Sequence, residues 1–342
     1  MRDRSRQRGR KSIVSALGVL LTIALGVARS ADNVRVHDPV MIRQGDTYYL
    51  FGTGMGISVH SSKDMKTWKE EPPVFERAPA WTFTAVPGFK GHIWAPDISE
   101  HGGTYYLYYA ISLGGKITSA IGVAINKTLD RSSPQFAWVD RGMVIQSVLN
   151  RDLWNAIDPQ LIVDEHDTPW LAFGSFWSGL KLTKLQPDFM RLAEPQEWYS
   201  LAKRERSVLR DDVDPEPAAI EAPFIFRKGE YYYLFVSWDY CCRGVRSDYK
   251  IVVGRSRDIK GPYLDRQGRA LAQGGGSLLL AGNARWPGVG HNSAYTFDGK
   301  DYLVFHAYDA ADDGKSKLKI AELSWDSAGW PTVDSRVLSD AR

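Results

Sequence analysis

Cysteine is nearly absent from this chain. There are two in 342 residues, and they are neighbours, Cys241 and Cys242. One adjacent pair gives no disulfide framework. Neighbouring Cα atoms stand ~3.8 Å apart across a trans peptide, below the ~4.4–6.8 Å of ordinary disulfides. The pair is therefore either two packed thiols or, in an oxidising compartment, a vicinal bridge. Metal-ligand spacings are missing as well: no His-x-x-x-His and no Cys cluster suggests zinc. No Ser-His-Asp arrangement is visible. Past the N-terminal segment no long stretch carries helical periodicity. The Gly274-Gly275-Gly276 run lacks the strand–helix setting of a phosphate loop.

An excess of positive charge is missing too, once the N-terminus is set apart. Residues 1–11 hold five arginines and a lysine, and an apolar run follows from Ile13 to Val27. Small residues, Ala28 and Ser30, then sit at the −3 and −1 positions of a cleavage site after Ser30. Together these features describe a secretory signal peptide over residues 1–30. The apolar run is short for a membrane span, which needs ~20 residues. The segment takes seven basic residues and one acidic one with it, out of 43 and 40, so residues 31–342 carry a net charge of −3. Nothing basic remains to attract nucleic acid or, after cleavage, a membrane surface. The expected location is extracellular or periplasmic.

What the chain does have is repetition. Five short tokens recur: His37-Asp38-Pro39, Ala95-Pro96-Asp97, Ile157-Asp158-Pro159, Glu221-Ala222-Pro223 and Gly290-His291-Asn292. Counted from Asp38, Asp97, Asp158, Glu221 and His291, the gaps are 59, 61, 63 and 70 residues. Each token leads through an apolar stretch and a polar turn into an aromatic strand. Gln44-Gly45-Asp46 before Tyr48-Tyr49-Leu50-Phe51 is one example, and Lys228-Gly229-Glu230 before Tyr231-Tyr232-Tyr233-Leu234 is another. That is a β-hairpin signal repeated five times. A period near 60 with further strand-like runs predicts one four-stranded blade per repeat. The expectation is an all-β, single-domain five-bladed β-propeller over residues 31–342, with its active site at one end of the central axis.

The first strand of each blade lines that axis, so equivalent positions converge. Asp38, Asp158 and Glu221 are expected at equivalent positions of repeats one, three and four. One Asp-Pro alone is usually a turn. Three acids facing one axis are different, because clustered like charges raise at least one pKa and are not kept for stability. A pair of carboxyl groups, one protonated and one ionised, is what glycosidic bond hydrolysis requires. The residues by themselves do not say which acid has which role.

The tokens, together with Gly91-His92-Ile93-Trp94, Trp154-Asn155-Ala156 and Asp239-Tyr240-Cys241-Cys242-Arg243-Gly244, resemble family 43 glycoside hydrolases. Within that family the resemblance is to the arabinan endo-1,5-α-L-arabinosidases, and it runs from His37 to the end of the fifth repeat. It implies hydrolysis of α-1,5-L-arabinofuranosyl bonds in arabinan and arabino-oligosaccharides, with inversion. Asp38 would be the general base, Glu221 the general acid, and Asp158 the residue that orients the acid and raises its pKa. Inversion would set base and acid carboxyls ~6.5–9.5 Å apart.

Other residues follow from the same resemblance. Trp94 would stack on a furanose ring, where a core tryptophan is the plainer alternative. His37 and Asn155 would hydrogen-bond sugar hydroxyls, and Ser175 and Gly114 would contact sugar. Leu113, where the family often has an aromatic residue, departs from its pattern. His291 would sit beside a calcium ion near the axis, although calcium prefers oxygen ligands. The loops at 141–156 and 272–289 are candidates for closing one end of the substrate groove. The alternatives are another family 43 activity (arabinofuranosidase or β-xylosidase), a non-catalytic sugar-binding propeller, and a retaining fructan-active enzyme.

Overall fold

The computed structural model describes residues 29–339. The leader expected over residues 1–30 lies outside them except for Arg29 and Ser30, which pair with Thr67–Trp68 at the outer edge of the first sheet. Among the described residues there are five antiparallel sheets, each built from strands consecutive or nearly so in sequence. This is the five-bladed propeller. The innermost strands are Val40–Gln44, His92–His101, Gln160–Val163, Ile220–Lys228 and Val289–Phe297. Each is followed by the aromatic strand that the repeats mark, Thr47–Gly52 in the first blade and Tyr231–Trp238 in the fourth. Among the described residues the one α-helix is Ala80–Ala85, and no helix is long and apolar enough to cross a membrane.

Packing explains why the blades close into a ring. A blade has two apolar faces, and each is buried against a neighbour. Val40 and Phe51 of blade one pack with Leu107 and Tyr109 of blade two. Tyr108 meets Leu161 and Phe173, Ala172 and Leu182 meet Ile225 and Leu234, and Phe235 meets Val289 and Phe305. Met41 and Leu50 pack against Val304 and Leu318, which joins blade five back to blade one. Hydrogen bonds complete that last junction: Ser293 Oγ donates to Pro39 O, and the Met41 amide donates to Tyr295 Oη.

One backbone feature locates the true repeat. Asp38, Ala95, Asp158, Ala222 and His291 all have positive φ, between 40° and 56°. Non-glycine residues seldom sit in that left-handed region, so five in matching places mark one structural position. Four of the five precede a proline. This corrects the expected equivalence. Asp38 and Asp158 do match, but Glu221 stands one residue earlier, at the position of His37, Trp94, Ile157 and Gly290. Asp97 stands two residues past Ala95. It is buried and accepts the Leu161 amide at 2.8 Å, tying blade two to blade three. The bounds of the expected groove loops change: residues 141–147 belong to the strand Val139–Ser147 and residues 277–281 form Ser277–Ala281, the fourth strands of blades two and four, while 148–156 and 282–288 remain loop.

Candidate active site

The residues just before the left-handed position turn their side chains into a cavity at one end of the axis. His37, Trp94, Ile157 and Glu221 all line it. In blade five this position is Gly290, and the reason is space: a Cβ there would lie 2.1 Å from the Tyr249 ring. Tyr249 fills that place and donates from Oη to Glu221 Oε1 at 2.8 Å. Asp38, Asp158 and His291, from the left-handed position itself, line the same cavity, together with Thr53, His92, Cys241 and Cys242. Its volume is about 380 Å³.

Asp38 is 6% exposed. Its Oδ1 lies 2.7 Å from His37 Nδ1 and 2.9 Å from His291 Nδ1. Thr53 Oγ1 donates to its Oδ2 and accepts the Ala95 amide from the next blade. Burial by itself would raise the Asp38 carboxyl. Electrostatic interaction with His291 and His37 and their hydrogen bonds outweigh burial and hold it well below the usual carboxylate range. Asp38 is thus the ionised carboxylate of the site.

Asp158 has the opposite balance. Burial pushes its carboxyl up to about 8; the His291 charge works against this, and the neighbouring charges of Glu221 and Asp38 add to it. Its Oδ2 accepts the amide of Ala222 at 3.0 Å. The residue that shares electrostatics with Glu221 therefore also grips the backbone next to it. Glu221 itself accepts from Ser175 Oγ at 2.9 Å and from Tyr249 Oη at 2.8 Å. His291 is driven up to about 9: burial disfavours its charge, but Asp38 and Asp158 overcome that. One ionised acid, one cation and one protonated acid share a single cavity, which is the charge pattern that separates base from acid.

The other expected residues divide. His37 and Trp94 line the cavity, and Trp94 Nε1 donates to His92 Nδ1 at 3.1 Å. Ser175 is buried and meets the site through Glu221. Asn155 is 3% exposed and is not among the lining residues; its Nδ2 donates to Lys116 O, and its Oδ1 has no partner. Gly114 lies on an exposed turn between the second and third strands of blade two, where an added Cβ would meet nothing within 4 Å. That turn is at the cavity's end of the blade, but it is not part of the lining.

His291 fits a protein-held calcium poorly. Calcium takes six to eight oxygen ligands, whereas His291 offers one nitrogen and spends the other on Asp38. The close groups of potential ligands among the described residues are His37–Asp38–His306 and His37–Cys241–Cys242, and His291 is in neither. A calcium ion at His291 would have to complete its shell with water, and none of the chemistry below passes through one.

Several site residues were missed in the sequence: Thr53, Tyr249, His306 and Tyr308. Thr53 did carry a signal. Phe51-Gly52-Thr53 and Phe173-Gly174-Ser175 end the aromatic strands of blades one and three alike, and both hydroxyls donate to a catalytic-site carboxylate. The cysteines form a disulfide, Cys241–Cys242, on the cavity wall.

The family model described as Glycosyl hydrolases family 43 matches residues 32–331. The chain is 58% identical over 334 residues to the extracellular exo-α-(1→5)-L-arabinofuranosidase ArbA of Cellvibrio japonicus, covering 98% of this chain and 95% of the relative. It is 41% identical over 328 residues to the extracellular endo-α-(1→5)-L-arabinanase 1 of Bacillus subtilis, covering 94% and 95%. Among solved structures, the α-L-arabinanase of Cellvibrio cellulosa in complex with arabinohexaose superposes with a TM-score of 0.88 at 59% identity, over 90% of this chain and 97% of that one.

Proposed function

The chain belongs to glycosyl hydrolase family 43, and from that membership we propose that it is an extracellular enzyme that hydrolyses the α-1,5-L-arabinofuranosyl bonds of arabinan, with inversion and from chain ends. One observation carries the reading: Asp38, Asp158 and Glu221 line one cavity beside Trp94, with Asp38 ionised and Asp158 protonated. Exo action rests on the likeness to ArbA at 58% identity, against 41% to the endo-acting relative.

Each residue has a distinct task. Asp38 takes a proton from water as the oxygen attacks the anomeric carbon. Glu221 gives a proton to the departing O5 of the neighbouring arabinose. Asp158 accepts the Ala222 amide and so fixes the backbone beside Glu221. Trp94 offers a flat apolar face to a furanose ring.

Time-resolved chromatography of products from linear arabinan tests substrate and mode together. One short product from the earliest points is expected. An early ladder of lengths would overturn exo action, and intact arabinan alongside cleaved xylo-oligosaccharides would overturn the substrate. Proton NMR of the first-formed product should show the β-anomer; the α-anomer would exclude inversion.

The pH dependence follows from the carboxyl groups. The Asp38 carboxyl lies below its ordinary range, so its basic form persists below about pH 4. Burial keeps the Asp158 carboxyl protonated up to about pH 8. Activity should fall as pH rises through 8, because the acid form is lost. Asp158→Asn removes the group that ionises near pH 8, so the fall of kcat/KM at that pH should be lost or displaced. An unmoved limb would show that Asp158 does not tune the acid.

A further inference from the structure

The Cys241–Cys242 disulfide stands on the cavity wall, and the roles proposed above leave it unused. Its two residues sit at the tip of a loop anchored on both sides. Asp239 pairs with Arg204 at 2.9 Å and with Lys250 at 2.5 Å. The Tyr240 amide donates to Asp248 Oδ1, and the Arg243 amide donates to Ser247 Oγ. Cys242 is exposed to solvent and has a left-handed backbone with φ 65°. Its amide donates to Tyr308 Oη at 2.8 Å.

From there the protons can be followed one at a time. Tyr308 is buried, and burial drives its phenol well above its ordinary pKa, so Oη keeps its hydrogen. Oη accepts the Cys242 amide and has one hydrogen to give. Its partners for that hydrogen are His37 Nε2 at 2.7 Å and, more distantly, Cys242 Sγ at 3.9 Å. At 2.7 Å Nε2 is the nearer acceptor for that hydrogen, and the proton that His37 turns towards Asp38 then sits on Nδ1. Nδ1 faces Asp38 Oδ1 at 2.7 Å. His306 cannot substitute as a donor: its Nδ1 accepts the Asp38 amide at 3.1 Å and lies 3.8 Å from Oδ1. It stacks under His37 with ring centroids 4.0 Å apart and so holds the plane of the ring.

We propose that the vicinal disulfide and Tyr308 form a positioning device for the general base: the bridge fixes the Cys242 amide on Tyr308, Tyr308 fixes the tautomer of His37, and His37 aims Asp38 at the attacking water. The proposal rests on Asp38 acting as the base. Tyr308, His37 and the bridge are positioning residues here, because they act through Asp38. Losing the Tyr308 hydroxyl frees His37 to flip its proton to Nε2, which would turn a lone pair towards the Asp38 carboxylate. Partners that fix the tautomer of a metal-ligating histidine are worth about 10–100-fold in metal affinity or activity, and a comparable scale is expected here.

The test is a kinetic cycle on arabino-oligosaccharides. Tyr308→Phe should lower kcat by about 10-fold to 30-fold with KM within about twofold. Cys241→Ser with Cys242→Ser should lower kcat by a smaller factor, about fivefold. The triple variant should be no worse than Tyr308→Phe alone, since the bridge acts through the hydroxyl. Dithiothreitol adds two electrons and two protons to the bridge and is itself oxidised to a cyclic disulfide. It should slow the wild-type enzyme as the double serine variant does, and should leave that variant unchanged. Losses that multiply in the triple variant would overturn the relay. So would a raised KM at constant kcat in the double serine variant, which would make the bridge a sugar contact. If Tyr308→Phe is normal while Asp38→Asn is inactive, the positioning device is wrong and the catalytic roles survive. If Asp38→Asn is itself active, the general-base reading has failed.

Discussion

Asp38→Asn should lower kcat on linear arabinan by about 10³-fold to 10⁴-fold, the scale of a lost general base. The asparagine variant is the informative one, because Asp38 has φ 53° and Asn tolerates that region better than most residues. Alanine at the same place adds a backbone cost of about 1–2 kcal/mol and leaves His291 without its partner at 2.9 Å. KM should change little, since the carboxylate faces water more than sugar. Azide separates the base role from a general collapse of the site. It attacks the anomeric carbon without losing a proton, while Glu221 still protonates the leaving oxygen. Added azide should therefore restore turnover in an Asp38→Ala enzyme and yield an arabinofuranosyl azide of inverted configuration. No rescue, in a variant that unfolds at the wild-type temperature, would remove Asp38 from water activation.

The fold was legible because a propeller blade is one supersecondary unit written five times, and each copy announces itself with a hairpin turn and an aromatic strand. The meeting of Asp38, Asp158 and Glu221 in one cavity was legible for a related reason: inner strands converge, so acids at neighbouring places of different repeats come together. The residue-by-residue correspondence was not legible. The repeat is held by a left-handed backbone position, and at Ala95 and Ala222 no side chain marks it, so Glu221 looked equivalent to Asp158 when it is one residue displaced. That displacement matters chemically. It places Glu221 with His37 and Trp94, the side chains that project into the cavity, while the Ala222 amide next to it is free to hold Asp158. Tyr249 and Tyr308 carried no local signal. Tyr249 is defined by the space Gly290 leaves for it, and Tyr308 by a cysteine amide 66 residues earlier. Asn155, expected from the family resemblance to bind sugar, is buried, with its Nδ2 on Lys116 O, a placement that nothing in its sequence neighbourhood announces.

Glu221→Ala should separate substrates by their leaving groups. On arabinan the leaving oxygen is an alkoxide unless it is protonated, and loss of the acid should cost about 10³-fold or more in kcat. An aryl α-1,5-arabinobioside with a nitrophenolate leaving group needs no proton, so its turnover should stay within about tenfold of wild type. The pH profile gives a second, independent reading. In wild type the fall above about pH 8 comes from ionisation of Asp158 beside the acid. The aryl substrate in the variant should show no alkaline limb, because nothing there has to be donated. Tyr249 is fully buried and would lose its acceptor, at a cost of about 1–3 kcal/mol, so a lower melting temperature is expected alongside. Glu221→Gln keeps one oxygen to accept from Tyr249 and turns its NH2 towards Ser175 Oγ, which can accept, while still removing the transferable proton; it should reproduce the kinetic pattern with most of the stability restored. Equal losses on both substrates in the glutamine variant would mean that Glu221 is not the proton donor, and would move that role to Asp158.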